Sequence, residues 1–121
     1  MKQTRTKENF NYICKKEMQA LLKIKKEAIG QICRMYGVKR LYAFGSVMTD
    51  KFRNDSDIDF LISFSDDLSI DDYTNNYFSL HYKLRDLLKR EIDLVTERTL
   101  SNPYFIESIN ATKELVYESG N

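Results

Sequence analysis

The stretch FGSVMTDKFRNDSDIDFLISF, residues 44–64, places two aspartates at the start of a run that otherwise has the composition of a buried strand. The run IDFLISF (58–64) is nearly all apolar and follows a polar segment, which predicts a well-buried strand. Alternate residues of a strand project from the same face, so Asp57 and Asp59 are expected to point the same way, about 6.6 Å apart. Two carboxylates at that separation repel, and their unpaired burial is costly. A divalent cation would relieve both problems, and Mg²⁺ suits such oxygen ligands.

A third acidic residue lies in the next predicted strand, REIDLVT (90–96), where Asp93 is flanked by Ile92 and Leu94. If the two strands are neighbours, Asp93 can face the same side of the sheet as Asp57 and Asp59. Three carboxylates are what a two-metal site needs, because one ion activates an attacking oxygen and the other holds a polyphosphate and its leaving group.

The pair Gly45-Ser46 follows the predicted strand VKRLYAF (38–44). A glycine at a strand end lets backbone N–H groups approach an anion closely, a following helical turn would point its N-terminus at that anion, and the Ser46 hydroxyl can donate to a phosphate oxygen. On its own this dipeptide is typical of a simple turn. Together with the three aspartates it indicates a phosphate-binding half of the same site.

The remaining segments alternate between helical and strand patterns. Helical spacing predicts a first helix over 11–36, ended by Gly37, and a second over 68–90. The first helix is expected to bury Leu21, Ile24, Ala28, Ile32 and Met35. The second is expected to bury Ile70, Tyr73, Tyr77, Leu80, Leu84 and Leu87. A short helix from Pro103 to about Asn110 and an extended piece KELVYE (113–118) complete a mixed α/β domain with helices packed on a sheet.

Composition is that of one ordinary globular domain of 121 residues. The net charge of +1 hides 11 Lys/Arg against 3 Asp/Glu in residues 1–40 and 8 against 15 in 41–121. The basic part could meet nucleic acid or an acidic partner, but a solvated helix face is the favoured interpretation. Cys14 and Cys33 are expected to be buried reduced thiols, and the lone His81 to have a structural or surface role. The absence of a signal peptide and of a long apolar run predicts a cytoplasmic protein without a membrane span.

The order of these motifs resembles a known family. Gly45-Ser46, nine intervening residues and then Ser56-Asp57-Ile58-Asp59 resemble the signature of the DNA polymerase β-like nucleotidyltransferase superfamily, most closely its minimal single-domain branch, the MNT proteins. The strand before GS, the strand through SDID, the long helix after it, IDLV and the terminal ELVYE follow in family order over nearly the whole chain. The resemblance implies the polymerase β-like fold, an α+β mixed domain over 1–121 with an N-terminal basic helix (1–37) and a catalytic core (38–121).

The resemblance also implies a chemistry: Mg²⁺-dependent transfer of a nucleoside monophosphate from ATP or another NTP to an acceptor hydroxyl. By position, Gly45 and Ser46 would bind the triphosphate, with Ser56 beside them. Asp57 and Asp59 would ligate two Mg²⁺ ions, and Asp93 would hold the catalytic ion and help activate the acceptor. The chain departs from the family where many minimal members carry an arginine shortly after GS, since it has VMTD (47–50) instead. Either Arg53 takes over that contact or nucleotide binding is weakened.

Two functions remain open at this point. Because 121 residues leave little room for an acceptor-binding domain, a partner or an oligomer would supply the acceptor. The resemblance implies a HEPN-domain protein as that partner, with AMP attached to its tyrosine in a toxin–antitoxin pair. The alternative is an antitoxin or adaptor that binds nucleotide and acts by complex formation. A small-molecule nucleotidyltransferase of the aminoglycoside type is disfavoured because such enzymes carry an additional helical domain, and nucleic-acid binding through the basic helix is not favoured.

Overall fold

A computed structural model describes residues 15–49 and 57–120 of the chain. Four helices and a four-stranded sheet form within these residues. The helices are α1 (Lys15–Ile24), α2 (Lys26–Met35), α3 (Ile70–Leu88) and α4 (Pro103–Thr112). The strands are β1 (Val38–Phe44), β2 (Ile58–Phe64), β3 (Ile92–Thr96) and β4 (Glu114–Glu118). The expectation of a mixed α/β domain is confirmed.

The sheet has the order β3-β2-β1-β4. Strand β1 pairs antiparallel with both β2 and β4, whereas β2 pairs parallel with β3. A parallel pair needs a crossover connection, and α3 provides it between β2 and β3. The two strands that carry the aspartates are therefore neighbours, as the sequence argument required.

The main core lies on one face of the sheet, where α1, α2 and α3 pack. It contains buried residues from three strands and all three helices: Met18, Leu22, Ile29, Cys33, Leu41, Ala43, Ile58, Phe60, Ile62, Leu80, Leu84, Ile92 and Leu94. The other face carries a smaller cluster of Phe44, Leu61 and Ile109, through which α4 packs on the sheet. Helix α4 has ten residues. Near the start of β2, the residue on this face is the polar Asp59.

The predicted single first helix is wrong in its continuity, and its predicted buried face is right only in part. The described part consists of α1 and α2, interrupted at Lys25, and positions 11–14 lie outside the described residues. Leu21 and Ile32 are partly buried and pack against the core, whereas Ile24 and Met35 are 76% and 68% exposed. The fully buried stripe consists of Met18, Leu22, Ile29 and Cys33. Lys25 lies in the middle of that stripe and marks the interruption, although its N–H still donates to the Leu21 carbonyl and its own carbonyl accepts from the Ile29 N–H, both at 2.9 Å.

The expected buried thiol is confirmed for Cys33, which is free and buried in the core. Burial raises the pKa of its thiol to about 12, against a smaller opposing effect of Arg34, so it stays protonated and behaves as a small apolar side chain. Cys14 lies outside the described residues.

The helix ends follow local sequence signals. The Ser69 hydroxyl accepts from the Asp72 N–H at the start of α3, and Asn102 accepts from two backbone N–H groups at the start of α4, where Pro103 takes the first helical position. Gly37 follows α2 with φ of 73°, the left-handed conformation expected of a glycine after a helix end.

One member of the predicted α3 stripe is wrong, because Ile70 in the first turn is 82% exposed. None of the helices within 15–49 and 57–120 has both the length and the apolar character needed to cross a bilayer.

Candidate active site

The three aspartates lie at the polar end of the sheet face that opposes the main core. Asp59 on β2 and Asp93 on β3 are register partners in the parallel pair, so their Cα atoms are neighbours about 4.8 Å apart across the ladder. Asp57 precedes β2 by one residue and is exposed, as is Asp93, whereas Asp59 is half-buried. The residues that directly precede Asp59 and Asp93 are Ile58 and Ile92, and both belong to the main core. The alternation of β2 and β3 thus places the acids opposite the packed face.

The pKa of Asp59 reflects the crowding of carboxylates in this cluster. Burial is the largest cause of its shift, and the carboxylates of Asp93 and then Asp57 add to it, together raising its pKa from 3.8 to about 6. The contribution of both neighbours means that the three negative charges act on one another across the face. A group with such a shift, set in a cluster of like charges, is typical of a functional site.

The donor set fits a hard divalent cation such as Mg²⁺. All three groups are carboxylates, and a cation beside them would cancel the repulsion that raises the pKa of Asp59. Within 15–49 and 57–120, however, no three such groups are already gathered closely enough to enclose one ion. Mg²⁺ commonly takes only one or two protein carboxylates and completes its shell with water and phosphate oxygens, so a closed protein cage is not required.

Gly45 joins the end of β1 to this cluster. Its φ is 77°, in the left-handed region, and a Cβ built on it would lie 2.6 Å from Asp59 Oδ2. Real Cβ atoms do not approach an oxygen so closely, so only glycine permits both this backbone conformation and this distance. The sequence predicts a close approach of the Gly45 backbone to an anion such as a phosphate. In the structure, the carboxylate of Asp59 lies beside Gly45.

The Gly45 N–H already has a partner within the chain. It donates to Oγ1 of Thr112, the last residue of α4, at 2.8 Å. The turn that follows, Gly45–Met48, is a 3₁₀ turn of four residues, and Ser46 lies in it half-buried. Thr49 closes the turn, since both its N–H and its hydroxyl donate to the Ser46 carbonyl, at 2.9 and 3.1 Å. The phosphate-binding candidates Arg53 and Ser56 lie outside the described residues.

Two side chains of α3 contact β3 on either side of Asp93. The Tyr77 hydroxyl donates to the Leu94 carbonyl at 2.7 Å, and His81 Nε2 lies 2.8 Å from the Ile92 carbonyl. Burial and, to a lesser degree, Asp93 and Tyr73 raise the pKa of the Tyr77 hydroxyl, which therefore remains a donor at neutral pH. The expectation of a structural role for His81 fits this contact. The sequence pattern gave no sign of the contacts made by Tyr77 and Thr112, because each depends on a distant element.

Comparison with known proteins places this fold in a family. The sequence profile described as "Polymerase beta, Nucleotidyltransferase" matches residues 27–121. A Methanocaldococcus jannaschii protein named "Putative protein adenylyltransferase MJ1217" is 34% identical over 82 residues, which cover 68% of this chain and 78% of that protein.

Solved structures agree. A structure described as a "putative minimal nucleotidyltransferase" is 29% identical with a TM-score of 0.65, over 80% of this chain and 93% of that one. A Shewanella oneidensis complex of a tri-AMPylated HEPN toxin with an MNT antitoxin shares the fold at 20% identity, with a TM-score of 0.57, over 81% and 73% of the two chains. The resemblance found in the sequence motifs is thereby confirmed: this chain belongs to the polymerase β nucleotidyltransferase family.

Proposed function

We propose that this chain transfers AMP from ATP, with Mg²⁺, to a hydroxyl group of a HEPN-domain protein, as the antitoxin of a toxin–antitoxin pair. The observation that carries the proposal is the in-register pair Asp59 and Asp93, with Asp57 two residues from Asp59 and Gly45 against its carboxylate. Family membership supports nucleotidyl transfer as the reaction. The name of the M. jannaschii relative supports a protein acceptor, and the AMPylated toxin in the S. oneidensis complex supports a HEPN partner.

Each carboxylate has a proposed role that follows from its position. Asp59 on β2 and Asp57, which immediately precedes that strand, would hold Mg²⁺ together with phosphate oxygens of the nucleotide. Asp93, on the neighbouring strand and exposed to solvent, would complete the metal site and take the proton of the acceptor hydroxyl. Bound Mg²⁺ would supply neutralisation of the charge that develops on the triphosphate. The acceptor oxygen would form a bond to the α-phosphorus while the bond to pyrophosphate breaks.

Gly45 and Ser46 are proposed to border the triphosphate, with Arg53 and Ser56 as further contacts. The Gly45 N–H is used by Thr112, so the contribution of Gly45 would be close approach and the placement of Asp59 rather than donation. The Ser46 hydroxyl remains the better candidate for a phosphate donor. Arg53 is the arginine nearest in sequence to the position where many minimal members carry one.

The acceptor is proposed to come from outside the chain. Among the described α-helices, α4 packs on the face that carries the carboxylates, and the cluster around its Ile109 joins Phe44 and Leu61 rather than the acids. Asp57 and Asp93 are exposed, so a tyrosine of another protein can reach them from solvent. This arrangement supports a protein acceptor over a small substrate enclosed in a deep pocket.

The test uses ATP labelled at the α-phosphate. The purified chain, Mg²⁺ and the protein encoded by the neighbouring gene are incubated together, and label on that protein is measured. We expect labelling that falls at least about 100-fold in Asp57→Ala and in Asp93→Ala, because loss of a ligand should cost at least as much as loss of an outer-shell contact. Asp66→Ala is the matched control, since it removes an exposed carboxylate beyond the other end of β2. Unlabelled GTP, CTP and UTP as competitors determine the nucleotide preference.

A second candidate is an antitoxin that neutralises its partner by complex formation alone. One observation favours it: the Gly45 N–H is already donated to Thr112. Neutralisation of the toxin in cells that survives both Asp57→Ala and Asp93→Ala, without label on the partner, would replace the catalytic proposal by this one.

A further inference from the structure

Strand β3 carries Asp93 and lies at the edge of the sheet. Its inner side is held by β2, since Ile58 N–H donates to the Glu91 carbonyl at 3.0 Å. Backbone groups of successive residues in a strand point to opposite sides, so the carbonyls of Ile92 and Leu94 lie on the outer side. An edge strand without partners on that side is free to shift or fray.

Two side chains of α3 occupy that outer side. Tyr77 and His81 are four residues apart and therefore project from the same face of the helix. The Tyr77 hydroxyl donates to the Leu94 carbonyl at 2.7 Å. His81 Nε2 lies 2.8 Å from the Ile92 carbonyl, and because a carbonyl can only accept, Nε2 carries the proton in this contact. Both bonds have the short lengths of well-formed hydrogen bonds.

The two bonds bracket one residue. The carbonyls that accept them belong to the residues immediately before and after Asp93, so the backbone of Asp93 is held from α3 on one side and from β2 on the other. The core packing of Ile92 and Leu94 fixes the depth of β3 against α3. That packing restrains translation of the strand along its axis less than hydrogen bonds to the carbonyls of both neighbouring residues do.

We propose that Tyr77 and His81 are positioning residues that set the place of Asp93 relative to Asp59. This inference rests on the proposed function, because it assigns the two residues to nucleotidyl transfer through Asp93. They act on the carboxylate through the strand and do not contact substrate. The residues proposed to bind the nucleotide lie on β2 and the Gly45–Met48 turn, not on β3. Loss of the contacts made by Tyr77 and His81 should therefore affect the transfer step more than nucleotide binding.

The experiment compares four variants in the labelled-ATP assay with the HEPN-domain partner. Tyr77→Phe removes one hydroxyl, His81→Leu removes the donor, and His81→Gln replaces it with an amide that can donate to the same carbonyl. Tyr82→Phe is the matched control, since Tyr82 lies on the same helix and is 64% exposed. We expect kcat to fall about tenfold or more in Tyr77→Phe and His81→Leu, because small misplacements of a catalytic group are costly. KM for ATP should stay within about twofold, and His81→Gln should recover part of kcat.

A second measurement does not depend on the reaction: the affinity for Mn²⁺, used as a spectroscopic probe, is read by electron paramagnetic resonance without nucleotide. It should weaken in the double variant Tyr77→Phe/His81→Leu and remain unchanged in Tyr82→Phe. Wild-type kcat in both single variants, or a loss confined to melting temperature, would overturn the positioning role while nucleotidyl transfer stands. If the wild-type chain labels no partner at all, the proposed function itself fails, and that result is distinct from a transfer that proceeds normally in the variants.

Discussion

The two faces of β2 differ in burial and charge, although they belong to the same seven residues. On one face Ile58 and Phe60 are fully buried in the main core. On the other, Asp59 lies half-buried between two further carboxylates and has a raised pKa. The packed face supplies hydrophobic free energy, whereas the polar face carries a repulsion that weakens the fold. The contrast shows how one strand can support a destabilising cluster where a ligand binds.

The largest expected effects come from substitutions at two adjacent residues of β2, Phe60 and Asp59, which lie on opposite faces of the strand. Phe60→Ala creates a cavity in the main core and should lower the free energy of unfolding by about 3 to 5 kcal/mol. Asp59→Ala should reduce partner labelling at least about 100-fold without lowering the melting temperature, because it removes a repelled charge. Urea unfolding and the labelled-ATP assay measure the two effects. A marked loss of stability in Asp59→Ala would contradict the division of β2 into a supporting face and a chemical face.

Gly45→Ala is the next largest test, since Gly45 joins β1 to the polar face. The new methyl group would meet Asp59 Oδ2 at 2.6 Å in a backbone with φ of 77°. We expect a loss of about 2 to 3 kcal/mol in the free energy of unfolding, from backbone strain and displacement of the carboxylate. Labelling should fall as well, because Asp59 moves.

The control for this change is Gly30→Ala on the core side. A Cβ at Gly30 would make ordinary contacts of 3.6 Å or more, and alanine is the better helix former, so the variant should be neutral or gain up to about 1 kcal/mol. Equal stability of Gly45→Ala and wild type would show that the close approach to Asp59 does not constrain the turn.

The strands could be predicted from the sequence because their signals are local. The runs 38–44 and 58–64 are apolar segments bounded by turns or polar residues, and the structure has β1 and β2 at those residues. The same pattern placed Asp57 and Asp59 on one face, and Asp93 with them once β3 proved to be the neighbour of β2.

The phase of the first helix could not be predicted, for a physical reason. The predicted set from Leu21 to Met35 follows helical steps without a gap, whereas the fully buried set of Met18, Leu22, Ile29 and Cys33 is interrupted at Lys25. Spacing alone therefore favours a face that is only partly buried. Only packing against the sheet selects between them, and Ile24 lies on the exposed side. The contact between Gly45 and Thr112 joins residues 67 positions apart, and no local pattern encodes it. The role of Arg53 stays a prediction, because it lies outside the described residues.

The repulsion on the polar face predicts a pH dependence of stability. Asp59 has a folded pKa of about 6, above its ordinary value of 3.8, so the folded state binds the proton more tightly than the unfolded state. The contribution of Asp59 protonation to the free energy of unfolding is therefore fully present below about pH 4 and is lost as the pH rises through about 6. With a discount for its partial exposure, the loss at neutral pH is about 1 to 2 kcal/mol.

Asp59→Asn removes this titration. Without Mg²⁺ the variant should melt about 4 to 8 °C above wild type at pH 7.5, and the difference should disappear near pH 4, as measured by thermal unfolding followed by circular dichroism. Addition of Mg²⁺ at pH 7.5 should raise the melting temperature of wild type more than that of the variant. A constant difference at both pH values would contradict the assignment of the repulsion to Asp59.

The smallest expected effect concerns the hydrogen bond by which α4 reaches the Gly45 turn. Thr112→Val keeps the shape of the side chain but removes the acceptor of the Gly45 N–H, which should cost about 1 kcal/mol of stability. Thr74→Val is the matched control, because the exposed Thr74 hydroxyl donates to a carbonyl within α3, at Ile70. If α4 steadies the turn for the nucleotide, Thr112→Val should also raise KM for ATP a few fold while Thr74→Val leaves it unchanged. A lowered KM in Thr112→Val would mean instead that Thr112 competes with phosphate for the Gly45 N–H, and the polar face would then be partly closed by its own helix.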